Sequence, residues 1–452
     1  MKKLFSFLAA LLFVGTGYAQ TFPVQNLQVN GTATFASTVA VAGPATFASS
    51  VAVTGNLTAP TPTIPDSSSK VATTDFVSKT APCPSVLAYG GDNTFTNDNA
   101  AAFAAAAAAN PTGNVCVYFP PGKYKFATNV AYTLPTTSAS ITVQGAGSDV
   151  SILAWTNGGG LTITSQSQNN SQHIRNLTFT TQGTGVGNGL TLQSSAASNP
   201  QPDNSAFSDI SGVTFRGDDG YDLINYWNVA LSINGTSNIN LINDRIQGPT
   251  NASGYTSVGT GVVISGTSAQ LPVVFNFSSC TMNDIGTAIL VAAPMQGMSV
   301  TQSNFVGGTY GILVNAGLSN FAEMTVMASQ FNVANTAILT NTAVPNLQIV
   351  GNVIYVPNNA NGINLAQAGL FSIIGNSFNE SGSTGMNGVV VGVTENNWPG
   401  IITGNNFNGM SAAAIVLGLS SNHVSVQSNV YIGSGTNIAN SGTSNTIGGG
   451  SI

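Results

Sequence analysis

From about residue 140 onward the chain repeats one phrase: an alternating apolar run, a small polar residue, then an aromatic or aliphatic residue two positions later. Ile349-Val350-Gly351-Asn352-Val353-Ile354, Ile373-Ile374-Gly375-Asn376-Ser377-Phe378, Ile402-Thr403-Gly404-Asn405-Asn406-Phe407 and Val426-Gln427-Ser428-Asn429-Val430-Tyr431 show it. A second phrase, Gly-Ile-x-Φ with Φ an apolar residue, recurs at Gly311-Ile312-Leu313-Val314, Gly362-Ile363-Asn364-Leu365 and, with Val for Ile, Gly388-Val389-Val390-Val391. From Phe305 through Phe331, Ile354, Phe378 and Phe407 to Tyr431 the steps are 26, 23, 24, 29 and 24 residues. Short period-two runs cut by Gly/Asn turns at such a spacing predict the coils of an all-β parallel β-helix, with residues one step apart in vertical register. Asn352, Asn376, Asn405 and Asn429 then stack, and a buried amide is tolerated there because identical amides bond along the axis. Asp244 falls in the same inward column. About ten coils at about 4.8 Å each predict a rod about 50 Å long. A sandwich fits poorly, since the repeats are regular and in tandem.

Upstream, residues 29–58 repeat every 12 residues: Val29-Asn30-Gly31, Val41-Ala42-Gly43 and Val53-Thr54-Gly55 align, as do Phe35 with Phe47 and Val39 with Val51. Units this small bury no face of their own and gain stability by stacking or by joining other chains. A fibrous stalk, assembled as a homotrimer, is one expectation; a flexible Ala/Thr/Val linker is the other. Lys2-Lys3, the apolar stretch Leu4 to Val14 and Gly17-Tyr18-Ala19 read as a secretory signal cleaved before Gln20. The expected organisation is a signal peptide over 1–19, a stalk over 20–60, a linker or neck over 61–84 and the β-helix over 85–452. No later apolar run reaches spanning length, so the mature chain is expected to be secreted or held at the cell surface, with no transmembrane segment.

From Tyr89 to Tyr124 the sequence reads YGGDNTFTNDNAAAFAAAAAANPTGNVCVYFPPGKY. Asn97 or Asp98 is expected to cap a helix running to about Ala109, anchored by Phe103 and stopped at Asn110-Pro111. Val115 to Phe119 is a strand ended by Pro120-Pro121-Gly122. A Gly/Asp-rich loop, a helix and a strand closing in Phe119-Pro120-Pro121-Gly122-Lys123-Tyr124 resemble the start of the pectate-lyase superfamily of right-handed β-helices. The resemblance implies a single-stranded right-handed solenoid whose helix covers the open first coil. The stretch IPDSSSKVATTDFVSK resembles a segment preceding the distal domains of phage tail-fibre proteins, which implies fibre architecture and no activity.

Composition narrows the function. Charged residues are 5% of the chain, with Lys+Arg 9 against Asp+Glu 15 and a formal net charge of −6. So few cations leave no electrostatic footprint for nucleic acid. Cys83 and Cys116 bracket one short segment and are a candidate disulfide in an oxidising compartment, while Cys280 reads as a buried small hydrophobe.

Ionisable groups are unevenly placed. Residues 246–452 hold no Lys or Arg and four carboxylates, Asp284, Glu323, Glu380 and Glu395. All three arginines, Arg175, Arg216 and Arg245, fall in 173–245 with His173, Asp203, Asp209, Asp218, Asp219, Asp222 and Asp244. This concentration marks the early coils as the functional face. Its densest point is Arg216-Gly217-Asp218-Asp219-Gly220-Tyr221-Asp222, followed by Tyr226-Trp227. Paired carboxylates can divide acid and base roles in glycoside hydrolysis, and Asp284 falls two coils later, about 9 to 10 Å along the axis, near the gap of about 6.5 to 9.5 Å of inverting hydrolases. Arg216, Asp218, Asp219 and Asp284 are therefore the catalytic candidates. Tyr221, Tyr226 and Trp227 are the candidate sugar-stacking platforms. Gly-Asp-Asp-Gly is also ordinary turn chemistry, and calcium held by Asp218, Asp219 and Asp222 is a third reading. His173 and His423, each single, read as surface or strand residues.

Gly217-Asp218-Asp219 resembles the paired-aspartate motif of polygalacturonases. Their Asn-Thr-Asp, Gly-His-Gly and Arg-Ile-Lys signatures are absent, so that activity is not implied, and the Asp-His pair of pectate lyases has no clean counterpart. The expectation is a polysaccharide-directed protein, with glycan cleavage by hydrolysis or lysis as one form and a non-catalytic adhesin or matrix fibre as the alternative.

Overall fold

The structure is a computed structural model; it describes residues 83–448 apart from 110–112, 137, 168, 196–205, 222–223, 252–253, 256–257, 267–271, 317–322 and 396–397. The signal segment, the twelve-residue repeats and nearly all of the connector lie outside the described residues. From Cys83 onward the chain winds into a right-handed parallel β-helix. Three long sheets run its length, with 13, 13 and 12 strands, and each coil contributes one strand to each. We number the sheets in the order the chain meets them within a coil. The first runs from Gly113–Phe119 to Thr446–Ile447, the second from Thr94–Asp98 to Val430–Ile432, and the third from Val130–Thr133 to Ile438–Asn440. At the spacing of strands, 13 rungs span about 58 Å, somewhat longer than the repeat count predicts because the coils begin before residue 140.

The register follows the repeat. Phe305 pairs with Phe331, and the column continues through Ile354, Phe378 and Phe407 to Tyr431. Rings in this column stack at 4.6 Å for Phe305 with Phe331 and for Phe378 with Phe407. Alternate residues of every strand point into one continuous core, and each parallel rung hands its N–H and C=O groups to the next, so the interior holds few unpaired polar groups.

Beside the aromatic column runs the amide ladder. Nδ2 of Asn352, Asn376 and Asn405 each donates to Oδ1 of the next asparagine, at 2.9, 3.0 and 3.0 Å. Each also donates back to the carbonyl of Val326, Ile349 or Ile373, at 2.9 to 3.0 Å. The column continues downward through Ser329, Ser303 and Cys280 to Asp244, which accepts the backbone N–H groups of Val213 and Ile242 at 2.8 and 3.1 Å. Asp244 thus takes the ladder role its position implies. Burial pushes its carboxyl well above the usual carboxylate range, outweighing the two N–H donors. Cys280 is buried, as expected, and burial pushes its thiol up to about 12.

The first coil departs from expectation in one place. Thr94–Asp98 is a strand paired with Gly122–Phe126, and the helix, α1, begins only at Ala100 and ends at Ala108. Neither Asn97 nor Asp98 caps it. Asp92 collects the backbone N–H groups of Thr94, Thr96 and Asn97, which holds this stretch extended. Asp98 accepts from the Ala127 N–H, and Asn99 occupies the cap position with its side chain turned to Asp92 and Lys125 instead. Phe103 anchors α1 on the first coil, stacked on Phe119 at 6.3 Å. Cys83 and Cys116 form the disulfide, closing a separation of 33 residues and tying the chain to the first strand.

Two changes test the ladder. Asn405→Ala leaves the Asn376 N–H and amide without their buried acceptor and should cost about 2 to 4 kcal/mol in denaturant unfolding. Asp244→Asn should do the reverse. A carboxyl raised in the folded state costs stability once pH passes its unfolded value near about 3.9, whereas an amide stays neutral, keeps one oxygen for the Val213 N–H and exchanges the longer Ile242 bond for donation to the Ile210 carbonyl, the register counterpart of Ile349. Melting should rise by several degrees at pH 7 and the gain should fade toward pH 3 to 4, about the range of unfolded carboxyls. A gain independent of pH would contradict the assignment of Asp244 as a buried acid.

Candidate functional site

The outer face of the second sheet carries the expected cluster. Arg216 lies in Thr214–Gly217, which pairs with Thr178–Thr181 below and Arg245–Gln247 above. Arg245–Gln247 pairs in turn with Thr281–Asn283. Asp284 follows that strand directly, so it stands two coils from Gly217, about 10 Å along the axis.

These side chains form one bonded surface. Asp218 accepts from Lys123 Nζ at 2.9 Å, Thr180 Oγ1 at 2.9 Å and Gln182 Nε2 at 2.9 Å. Burial alone would raise its pKa, but the Lys123 charge and these donors prevail and hold it below the usual range. Asp219 turns the other way. Its Oδ2 accepts the Ile224 and Asn225 N–H groups at 2.9 and 3.0 Å, fixing the turn, and its Oδ1 is buried with no partner among the described residues. Arg216 is buried, with Nε and Nη2 on Asp149 Oδ1 at 3.1 and 3.0 Å and Nη1 on the Gly217 carbonyl. The Tyr221 hydroxyl donates to Asp149 Oδ2, and its ring lies under the Arg245 guanidinium at 4.0 Å. Arg245 Nη2 reaches Gln247 Oε1 at 3.3 Å, and Gln247 Nε2 donates to Asp284 Oδ2 at 2.9 Å. The Asp218-Asp219 turn and Asp284 thus bracket a strip containing Tyr221, Arg245 and Gln247. Two further polar atoms of this strip, Arg245 Nε and Asn283 Oδ1, are buried and unpaired among the described residues.

The structure corrects two expectations. Trp227 is 3% exposed, its Nε1 donates to the Phe179 carbonyl, and it packs edge-on against Trp155. A ring inside the core offers no face to a sugar; the strand alternation that begins at Tyr226 turns Trp227 inward. Arg216 is engaged by Asp149 and the backbone, so it props the turn rather than facing outward. Tyr226 is half-buried at the start of its strand. Asp222 lies outside the described residues, and no group of three or more His, Cys, Asp or Glu side chains suited to a metal occurs among the described ones. The oxygens of Asp218 and Asp219 diverge toward Lys123 and toward the turn, so these two do not form a calcium cradle by themselves.

Sequence reasoning missed Lys123, Asp149, Gln182 and Gln247. Lys123 and Asp149 precede the Asp218 turn by 95 and 69 positions, and only coil stacking brings them to it. The Gly-Ser-Asp turn at 147–149 was the available signal for Asp149.

Fold comparisons agree with this architecture. The tailspike protein 3 of bacteriophage CBA120 superposes with a TM-score of 0.53 at 13% identity, over 80% of this chain and 60% of that one. The Dettilon tailspike protein superposes with a TM-score of 0.51 at 10% identity, over 79% and 67%. The A-module of the Azotobacter vinelandii mannuronan C-5 epimerase AlgE4 gives 0.43 at 16% identity, over 81% and 100%. At these identities the first two establish a shared parallel β-helix and nothing about chemistry. No protein-family model matches the sequence, and no curated protein matches it.

The Lys123–Asp218 pair predicts a pH response. A carboxylate whose folded pKa is lowered contributes stability above its unfolded value near about 3.9, and that contribution is lost as pH falls through the folded value. Lys123→Met should therefore lower the melting temperature at pH 7 and make less difference as pH falls through the folded pKa of Asp218, below which its carboxyl is protonated with or without Lys123. An equal loss at both pH values would mean that Lys123 acts by packing alone.

Proposed function

We propose that this chain is an exported, polysaccharide-directed β-helix protein that binds a glycan along the outer face of the second sheet, between the Asp218-Asp219 turn and Asp284. The observation that carries the reading is the bonded strip itself. In a chain with 5% charged residues, it brings Tyr221, Arg245, Gln247, Asn283 and two carboxylate positions onto neighbouring coils of one face. Planar donors and acceptors beside one amphipathic ring suit the hydroxyl-rich edges of sugars, and the partly exposed Tyr221, Arg245 and Asn283 present them, while the buried Gln247 lies beneath and holds Asp284. The resemblance of the first coil to the pectate-lyase superfamily supports the same substrate class. The Cys83–Cys116 bridge supports an oxidising compartment, in keeping with the signal-like first 19 residues. The negative net charge disfavours a polyanion, so a neutral glycan is the first choice.

Cleavage is a second reading, favoured by the two-coil step of about 10 Å between the aspartate turn and Asp284, just beyond the separation of inverting carboxylates. Asp218, held ionised by Lys123, cannot serve as the acid; Asp219 and Asp284 are the pair this reading needs. A glycan array with the mature protein should find a ligand whose binding weakens about tenfold or more in Arg245→Ala, equivalent to about 1.4 kcal/mol. Mass spectrometry of the bound polysaccharide separates the two readings. Products that disappear in Asp219→Asn and Asp284→Asn support cleavage, whereas intact polysaccharide supports the adhesin. Undiminished binding in Arg245→Ala would refute the strip as the binding face.

A further inference from the structure

On the outer face of the first sheet, one coil below the strip, stands a second cluster that the glycan reading leaves unused. Ser171 and His173 lie two residues apart on Ser171–Arg175 and so share a face, and Asp209 on the next coil pairs directly with His173. Ser171 Oγ is 3.0 Å from His173 Nε2. On the other side of the ring, Nδ1 meets Asp209 Oδ1 in a short contact. Arg175 clamps the same carboxylate through Nε on Oδ2 and Nη2 on Oδ1, both at 2.7 Å. An ionised carboxylate only accepts, so Nδ1 carries the proton and Nε2 presents its lone pair to the Ser171 hydroxyl. Burial would raise the Asp209 pKa, but Arg175 and His173 outweigh it and keep the group ionised. His173 retains 22% side-chain exposure and Asp209 17%, so the set opens to solvent. Phe207, two positions before Asp209 and just ahead of its strand, is 65% exposed and adds an apolar group to this part of the surface.

The geometry points to an esterase-type centre in which Ser171 is the nucleophile, His173 its general base, and Asp209 with Arg175 position the imidazole, acting on short-chain acyl esters. The order hydroxyl, Nε2, Nδ1, carboxylate is the one that acyl transfer requires. The Ser171 oxygen adds to the ester carbonyl as its proton passes to Nε2. The proton then goes to the departing alkoxide, leaving acyl-Ser171. Water, deprotonated by the same nitrogen, attacks the acyl carbon and releases the acid, which restores the hydroxyl. Ester and water are the only reactants. The inference does not depend on glycan binding, because both probes below are small molecules.

The full-length mature protein should hydrolyse p-nitrophenyl acetate and take up a fluorophosphonate on Ser171, located by peptide mass spectrometry. Ser171→Ala should abolish the adduct, and His173→Gln should lower kcat/KM about 100-fold or more, the usual share of a general base. Asp209→Asn should lower kcat with KM unchanged and slow the labelling, a split that a purely structural role would not produce. Melting curves of each variant verify that the fold survives. Equal hydrolysis by wild type and Ser171→Ala, or a wild type that neither turns over nor labels, would overturn the assignment.

Discussion

Axial register is the constraint on which the rest of the molecule depends. Each coil leaves its backbone N–H and C=O groups pointing along the axis, and only a neighbouring coil at the same phase can satisfy them. The inward Asn352-Asn376-Asn405-Asn429 column adds side-chain bonds to the same demand. A slip of one residue would turn the aromatic column outward and the charged strip inward at once. Register therefore fixes both the core and the composition of the outer face.

That constraint explains how so charge-poor a chain concentrates chemistry. Lys123, Asp149, Thr180, Arg216 and Asp218 come from four successive coils, yet they form one network on the second sheet. The late coils show the same outer columns filled with Asn, Ser, Thr and aliphatic residues such as Val353 and Ile432, which are partly exposed. Identical backbone scaffolding thus carries a bonded polar face at one end and a nearly neutral one at the other. Most of the charge in the early coils is neutralised internally: Asp149 by Arg216, Asp209 by Arg175 and Asp218 by Lys123. The groups left with unmatched bonding capacity, Asp219, Arg245 and Asn283, therefore stand out.

The solenoid was legible in the sequence because its period is written in large residues and asparagines, which the core requires at fixed intervals. The aromatic and amide columns emerge as the repeat predicts, down to the partner of each residue. Asp244 takes its place because it extends the inward polar column, and Asp284 because it follows the aromatic-column position Met282 by two residues. The failures have a common origin. Trp227 reads as a platform only if the strand parity is unknown, and a half-turn of alternation buries it. The helix start moved because Thr94–Asp98 pairs as a strand with Gly122–Phe126, so the cap position passes to Asn99. The contacts of Lys123 and Asp149 and the joining of Asp209 to Ser171-His173 were not legible, because residues 36 to 95 positions apart meet only after coils with unequal loops have closed.

Both proposed sites require residues one coil apart to be directly opposed, and site-directed cross-linking measures this most directly. Asn379 and Asn408 pair across adjacent rungs of the second sheet and stand on its outer face. Paired positions on neighbouring strands lie about 4.8 Å apart, within the range a disulfide spans. Asn379→Cys combined with Asn408→Cys should oxidise to an intramolecular bridge in the native protein, whereas Asn379→Cys with Asn406→Cys, two positions out of phase, should stay reduced. Bridging of the second pair in preference to the first would contradict the register, and with it the face on which the proposed chemistry is assembled.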